Sequence, residues 1–164
     1  GLYNRHYLNT HLDNMVRQAL KNGKNLALMI MDMDHFKSVN DTYGHDAGDM
    51  VLKQLAGLII QVSRSTDLAS RFGGEEFVIL MPETDLTAAV NAANRVREIV
   101  ETTPFEITNG EKIGRTISIG VATLHPDGDS GESLLKRADE ALYSAKHSGR
   151  NQVKVSNKLV PSGW

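Results

Sequence analysis

Apolar positions along the chain follow two periods. Between residues 4 and 22, Leu8, Leu12, Met15, Val16 and Ala19 recur at three- and four-residue spacing, and the run stops at Gly23. That spacing predicts a helix with one buried stripe and a glycine at its end. Leu26-Ala27-Leu28-Met29-Ile30-Met31 is instead apolar throughout and of strand length, the pattern of a central strand covered on both faces. A short helix is expected over 36–42. Tyr43-Gly44-His45-Asp46-Ala47-Gly48-Asp49 reads as a turn into a helix whose apolar face is Val51, Leu55, Leu58, Ile59 and Val62. Leu68-Ala69-Ser70 and Phe77-Val78-Ile79-Leu80-Met81 flank Gly73-Gly74-Glu75-Glu76, which predicts a hairpin with glycines at its bend. Ala89, Ala93, Val96 and Val100 mark a helix over 85–102. An alternating strand, Thr116-Ile117-Ser118-Ile119-Gly120-Val121, comes next. A last helix over 131–147 carries Leu134, Leu135, Ala138, Leu142 and Ala145, and Val153-Lys154-Val155 is a short final strand. Strands and helices mixed in this order predict a mixed sheet with helices on its faces.

Composition narrows the classes. The 164 residues suit one domain, expected over 1–156 with a C-terminal tail over 157–164. A formal net charge of -2 gives no broad basic field, so no nucleic-acid polymer is expected as a partner. Cysteine is absent, which removes disulfides and thiol chemistry and fits a cytoplasmic setting. No apolar run approaches the ~18 residues of a membrane span, so no membrane contact is expected of this domain. The chain opens abruptly at Gly1-Leu2-Tyr3-Asn4-Arg5. An upstream sensor or receiver domain, or a membrane anchor in a parent protein, is expected outside it. The sequence has no G-x-x-x-x-G-K-[ST] loop, no G-x-G-x-x-G and no H-E-x-x-H, which disfavours P-loop NTPases, Rossmann dehydrogenases and zincins.

Two acidic segments carry the candidate chemistry. Asp32-Met33-Asp34 ends the buried strand, where carboxylates are costly unless a positive group meets them. Strand ends of this kind are also common ligand positions in α/β folds. Glu75-Glu76 sits in the glycine hairpin, where glycines allow a tight turn and close approach to a ligand. Singly, each is more often a cap or a solvated turn. Brought together, the carboxylates need a cation, and hard oxygen ligands favour Mg²⁺ with phosphate as co-ligand. A two-metal phosphoryl-transfer site has this composition.

In order along the chain, these motifs resemble the GGDEF family of diguanylate cyclases. Gly1-Leu2-Tyr3-Asn4-Arg5 is similar to the family's opening helix, and Asp32-Met33-Asp34-His35-Phe36-Lys37-Ser38-Val39-Asn40-Asp41 to its D-x-D-x-F-K-x-x-N-D segment. Gly44-His45-Asp46-Ala47-Gly48-Asp49 resembles its G-H-x-x-G-D turn. Arg71-Phe72-Gly73-Gly74-Glu75-Glu76-Phe77 resembles the name-giving motif in its GGEEF form. Ser118-Ile119-Gly120-Val121, Ala138 through Lys146, and Gly149-Arg150-Asn151 complete the resemblance, which covers almost the whole chain. The family's D-x-L-T element is absent before Gly1.

The resemblance implies an α/β (α+β) sandwich of the adenylyl-cyclase and polymerase-palm type. It would have a central mixed five-stranded sheet flanked by helices and the GGEEF hairpin at the active site. The implied reaction condenses two GTP into cyclic di-GMP and two pyrophosphates, in a homodimer whose two domains face each other. Asp32, Glu75 and Glu76 would be catalytic. Asp32, the Met33 carbonyl and Glu75 would hold Mg²⁺, with Mn²⁺ a substitute. Asn40 and Asp49 would read guanine, whose N1–H and N2–H₂ donors suit a carboxylate and have no counterpart in adenine. His35, Phe36 and Lys37 would meet the β- and γ-phosphates at a helix start. Gly73 and Gly74 would let the backbone pass close to the nucleotide, and Lys146 and Arg150 are the implied late phosphate ligands. Arg64-Ser65-Thr66-Asp67 matches the family's R-x-x-D product site, where arginine meets guanine O6 and N7, and Arg95 matches an arginine that joins it in some members. The competing reading is a catalytically silent GTP or cyclic di-GMP sensor. Degenerate members usually lose a hairpin carboxylate, and this chain keeps both.

Overall fold

The computed structural model describes residues 2–156, so Gly1 and the tail expected over 157–164 lie outside the described residues. Its centre is strand β2 (Leu26–Met33), buried along its whole length. β2 pairs antiparallel with β4 (Glu76–Pro82) on one side and with β7 (Ile117–Thr123) on the other. β3 (Leu68–Arg71) adds antiparallel to β4, and β8 (Val153–Val155) adds parallel to β7. A sixth strand, β1 (Tyr3–Asn4), pairs parallel with β3, giving the order β1-β3-β4-β2-β7-β8. Two residues carry no readable alternation, which is why the sequence gives five strands and the sheet has six. Backbone pairing at Tyr3–Asn4 also corrects the expected opening helix. Helix α1 (Arg5–Asn22) starts after Asn4, whose side chain caps the Tyr7 N–H at 2.9 Å.

Side-chain alternation divides the core into two layers. Ala27, Met29, Met31 and Met33 face one way. They pack with α3 (His45–Val62) through Val51, Leu55 and Ile59, and with α4 (Leu86–Thr102) through Ala89, Ala93, Val96 and Val100. Leu26, Leu28 and Ile30 face the other way, onto α1 through Leu8, Leu12 and Val16 and onto α5 (Gly131–His147) through Leu134, Ala138 and Leu142. Asp32 continues that second row at the strand end, so it emerges on the α5 side. Gly120 of β7 makes this packing possible: a Cβ there would lie 2.1 Å from the Ala138 carbonyl oxygen and 2.3 Å from the Leu142 nitrogen.

The short helix α2 (Phe36–Tyr43) follows the β2 exit as expected. The predicted turn over 43–49 is mostly helix, because Gly44 alone makes the reversal at φ 93° and α3 begins at His45. Between α4 and β7 lies a small hairpin that the sequence reading left unassigned, β5 (Phe105–Glu106) with β6 (Lys112–Ile113). Its buried Phe105, Ile107 and Ile113 are too few to show a period. Among the described residues no helix is long and apolar enough to cross a membrane.

Candidate active site

Register places the two acidic segments together. Asp32 of β2 sits directly opposite Glu76 of β4 and, on its other side, opposite Ser118 of β7. Phe77, Ile79 and Met81 belong to the α3–α4 layer, so Glu76 shares the α5 face with Asp32. The β3–β4 hairpin closes with Phe72 N–H and Gly73 N–H donating to the Glu76 carbonyl at 2.8 and 3.2 Å. Arg71 clamps its tip through Nε and Nη2 to the Gly74 carbonyl at 3.2 and 2.6 Å. Neither Gly73 nor Gly74 takes a positive φ, so the hairpin does not use the left-handed freedom of glycine. Gly73 lies against the Glu76 side chain, where a Cβ would come 2.8 Å from Oε1 and the carboxylate would have to swing aside. Gly74 has nothing within 4 Å of its Cβ direction and lines an open cleft.

That cleft, about 490 Å³, is lined by Asp32, Phe36, Asn40, Asp49, Gly74, Glu75 and Glu76 from the expected set, with His45, Leu52 and Arg71 added. Asn40 and Asp49, the pair expected to read guanine, are therefore brought to the same cavity as the carboxylates. Gly48 makes room for it: a Cβ there would sit 1.9 Å from Asn40 Oδ1 and 3.1 Å from the Phe36 ring. His45 and Gly48 are marked in the sequence only by their place in the turn motif, and Leu52 of α3 not at all.

The two carboxylates of Asp32-Met33-Asp34 have different fates. Asp34 Oδ1 accepts from Ser118 Oγ at 2.6 Å, and Oδ2 accepts from Thr116 Oγ1 at 2.7 Å and from the Asn151 N–H at 3.0 Å. It is consumed by the protein. Asp32 is 5 % exposed, and only its Oδ2 is bonded, to the Lys146 ammonium; Oδ1 is buried without a partner. Burial raises the Asp32 carboxyl above the usual aspartate range against the opposing pull of Lys146. Glu75 and Glu76 are also raised, first by burial and then by the Asp32 charge. Asp139 on α5 adds to the push on Glu76.

Among the described residues no group of three or more His, Asp or Glu side chains is already arranged as a metal cage. The Lys146 ammonium is the positive group that meets Asp32. The orphaned Oδ1, and three carboxyls held above their ordinary range by burial first and neighbouring carboxylates second, nevertheless fit a hard divalent cation with oxygen ligands.

Other expected residues lie around this centre. Met33 is buried at the strand end. His35 takes φ 59° as the cap of α2 and makes no side-chain capping bond. It lines a neighbouring cleft of about 490 Å³ with Asp34, Ser38, Glu101 and Arg115. Lys37 and Arg150 are exposed, and Gly73 borders the hairpin rather than the cleft. Arg64 and Asp67 are brought together, with Arg64 Nε and Nη2 donating to Asp67 Oδ1 at 3.1 and 2.8 Å. The same Nη2 reaches the Pro82 carbonyl at 3.2 Å and Thr84 Oγ1 at 2.6 Å. Arg95 stands exposed on α4 and contributes none of these bonds.

With this geometry in place, comparison with known proteins assigns the family. A family model described as diguanylate cyclase, GGDEF domain, matches residues 1–152. The chain belongs to the GGDEF family. The response regulator PleD of Caulobacter vibrioides is 47 % identical over 154 residues, 93 % of this chain and 34 % of that protein. Diguanylate cyclase A of Treponema denticola is 44 % identical, over 83 % of this chain and 36 % of its own length. The chain thus spans about a third of the curated relatives it matches. The crystal structure of the GGDEF domain of DgcB from Caulobacter crescentus in complex with c-di-GMP superposes with a TM-score of 0.91. It is 34 % identical over 96 % of this chain and 90 % of that one. The mixed sheet flanked by helices is therefore the GGDEF fold, with its hairpin at the edge of the acidic cleft.

Proposed function

We propose that this GGDEF domain condenses two GTP molecules into cyclic di-GMP. The observation that carries the reading is Asp32. It is a buried carboxylate with one oxygen on Lys146 and the other unpaired, opposite Glu76 and beside Glu75, at the mouth of a cleft lined by Asn40 and Asp49. An unpaired buried acceptor is costly, and a divalent cation held at this strand end would satisfy it.

Asp32, Glu75 and the Met33 carbonyl are the residues to hold Mg²⁺ or Mn²⁺, with Glu76 beside them. Bound there, the ion supplies polarisation of the α-phosphate and a lowered pKa for the attacking hydroxyl. Asn40 and Asp49 accept and donate along the guanine edge. The free N–H groups at the start of α2, over His35, Phe36 and Lys37, meet the β- and γ-phosphates with Lys146 and Arg150. The 3′-oxygen of one GTP bonds to the α-phosphorus of the other, the bond to the β-phosphate bridge breaks, and pyrophosphate leaves. Glu76, whose carboxyl burial and the Asp32 charge raise above the ordinary glutamate range, is placed to receive the hydroxyl proton. Repeating the step with roles exchanged closes the ring. One cleft holds one GTP, so two domains must face each other as a homodimer, ideally with two-fold symmetry. Partner domains in a longer protein would set that pairing. Arg64 and Asp67, with Arg95, form the proposed product site that slows the cycle.

The test is GTP conversion with Mg²⁺ at high protein concentration and again with enforced dimerisation, with Glu75→Gln alongside and nucleotides separated by chromatography. Cyclic di-GMP from the wild type alone is expected. Equal product from Glu75→Gln removes the metal assignment. Silence of an enforced dimer that still binds GTP favours a sensor.

A further inference from the structure

The turn after α5 is held in place more firmly than a connection of its length requires. Gly149, Arg150 and Asn151 all take positive φ, at 114°, 62° and 45°. For the two non-glycine residues such backbone costs on the order of 1 kcal/mol or more each and persists only where the surroundings impose it. Three groups impose it here. The Arg150 N–H donates to the Ala145 carbonyl at 3.0 Å, and the Asn151 N–H donates to Asp34 Oδ2 at 3.0 Å. The Asn151 side chain is gripped by α4, its Nδ2 donating to Glu101 and its Oδ1 accepting from Arg97 Nη1 at 3.2 Å. Asp34 is itself fixed by Ser118 and Thr116, and its own N–H donates to the Thr116 carbonyl at 2.9 Å. The turn follows Lys146, which bonds Asp32 from the last turn of α5, and itself carries the exposed Arg150.

We infer that Asp34 and Asn151 are positioning residues that fix Lys146 and Arg150 for the triphosphate. The inference rests on the cyclase reading above. Two carboxylates two residues apart thus divide the work. Asp32 keeps a free oxygen for the cation, while Asp34 has every acceptor directed at the protein and clamps the basic turn to the same strand end. A charged ligand's partners must be held in place before binding if their charge is to count in full, and the clamp does this from β2 and α4 together.

The experiment measures affinity for 3′-deoxy-GTP, which lacks the attacking hydroxyl, and for 3′-deoxyguanosine, both with Mg²⁺. The proteins are the wild type, Asp34→Ala, Asp34→Asn and Asn151→Gly. Asp34→Ala is expected to weaken 3′-deoxy-GTP about tenfold while 3′-deoxyguanosine stays within about twofold. Asp34→Asn should recover most of the loss, since its carbonyl can accept from Thr116 and Asn151 while its amide donates to Ser118 Oγ. Asn151→Gly keeps the left-handed backbone, loses only the grip on α4, and should show the same triphosphate-selective loss even where Asp34→Ala fails to fold. Equal loss for both ligands, or no loss, overturns the positioning role while wild-type binding leaves the cyclase reading standing. A wild type that binds neither ligand overturns both.

Discussion

Lys146, on the last turn of α5, donates to Asp32 at the end of β2 across 114 positions of sequence. The Lys146 side chain is 31 % exposed and the Asp32 side chain 7 %. Removing the cation leaves a buried negative charge beside Glu75 and Glu76, a stronger penalty than losing a surface pair. Lys146→Met is expected to lower the metal-free melting temperature by about 3–8 °C, from about 1–3 kcal/mol at this partial exposure. Mg²⁺ should then raise the melting temperature of the variant more than that of the wild type. Differential scanning fluorimetry with chelator and with Mg²⁺ reads both, and identical Mg²⁺ responses would separate Lys146 from the metal site.

Glu75 gives a pH signature with a definite sign. Burial, then the Asp32 charge, raise its carboxyl above the ordinary glutamate value. The folded metal-free protein therefore binds this proton more tightly than the unfolded chain. Stability is fullest below the ordinary value of ~4.3 and is lost as pH rises from there through the raised value. Glu75→Gln should flatten that decline and raise the metal-free melting temperature near neutral pH by on the order of 1–3 °C, while abolishing cyclisation. Bound Mg²⁺ should flatten the wild-type profile in the same way. A variant whose melting profile from pH 4.5 to 7.5 parallels the wild type would show that Glu75 is not part of the repelling cluster.

Much of this was legible beforehand, and for specific reasons. The unbroken apolar run of β2 and the four long helices declared themselves by period, because burial on one or two faces leaves a repeat that eight or more residues can display. Asp32, Glu75, Glu76, Asn40 and Asp49 reached one cleft as the family resemblance implied. What stayed hidden was set by single contacts. Asp34 and Asp32 are the same residue type two positions apart, and only Ser118, Thr116 and Asn151 distinguish them. β1 and the β5–β6 hairpin are too short for any pattern. The role of Gly48 depends on a side chain eight positions earlier, which helix packing brings into contact.

Gly48 offers a control within its own helix. A methyl group at 48 would overlap Asn40 Oδ1 at 1.9 Å, whereas one at Gly57 meets nothing within 4 Å. Gly48→Ala should displace Asn40 and raise the KM for GTP roughly tenfold or more, the scale of one misplaced base contact. Gly57→Ala should leave KM unchanged and stabilise α3 by up to about 1 kcal/mol through helix propensity. Steady-state kinetics and melting of the two variants make the comparison. Equal KM values would show that Asn40 does not hold the base.

Arg64 is already occupied, and that occupation sets what its removal should do. Its guanidinium bridges Asp67, the Pro82 carbonyl and Thr84, so it holds the approach to β3 against the end of β4. Its charge is half-exposed, which limits its contribution to stability to about 1 kcal/mol. A guanine that bonded this arginine at O6 and N7 would compete with Thr84 and Pro82 for the same donors. Arg64→Ala should therefore raise the concentration of cyclic di-GMP that halves the rate by about tenfold or more, with the initial rate unchanged. Arg64→Lys should behave like the alanine variant, because an ammonium cannot form the paired contact. Thr84→Ala frees one donor of Arg64 and should make inhibition tighter. Progress curves with added product distinguish these outcomes. Unchanged inhibition in Arg64→Ala would leave the Arg64–Asp67 pair as a structural clasp between β3 and β4.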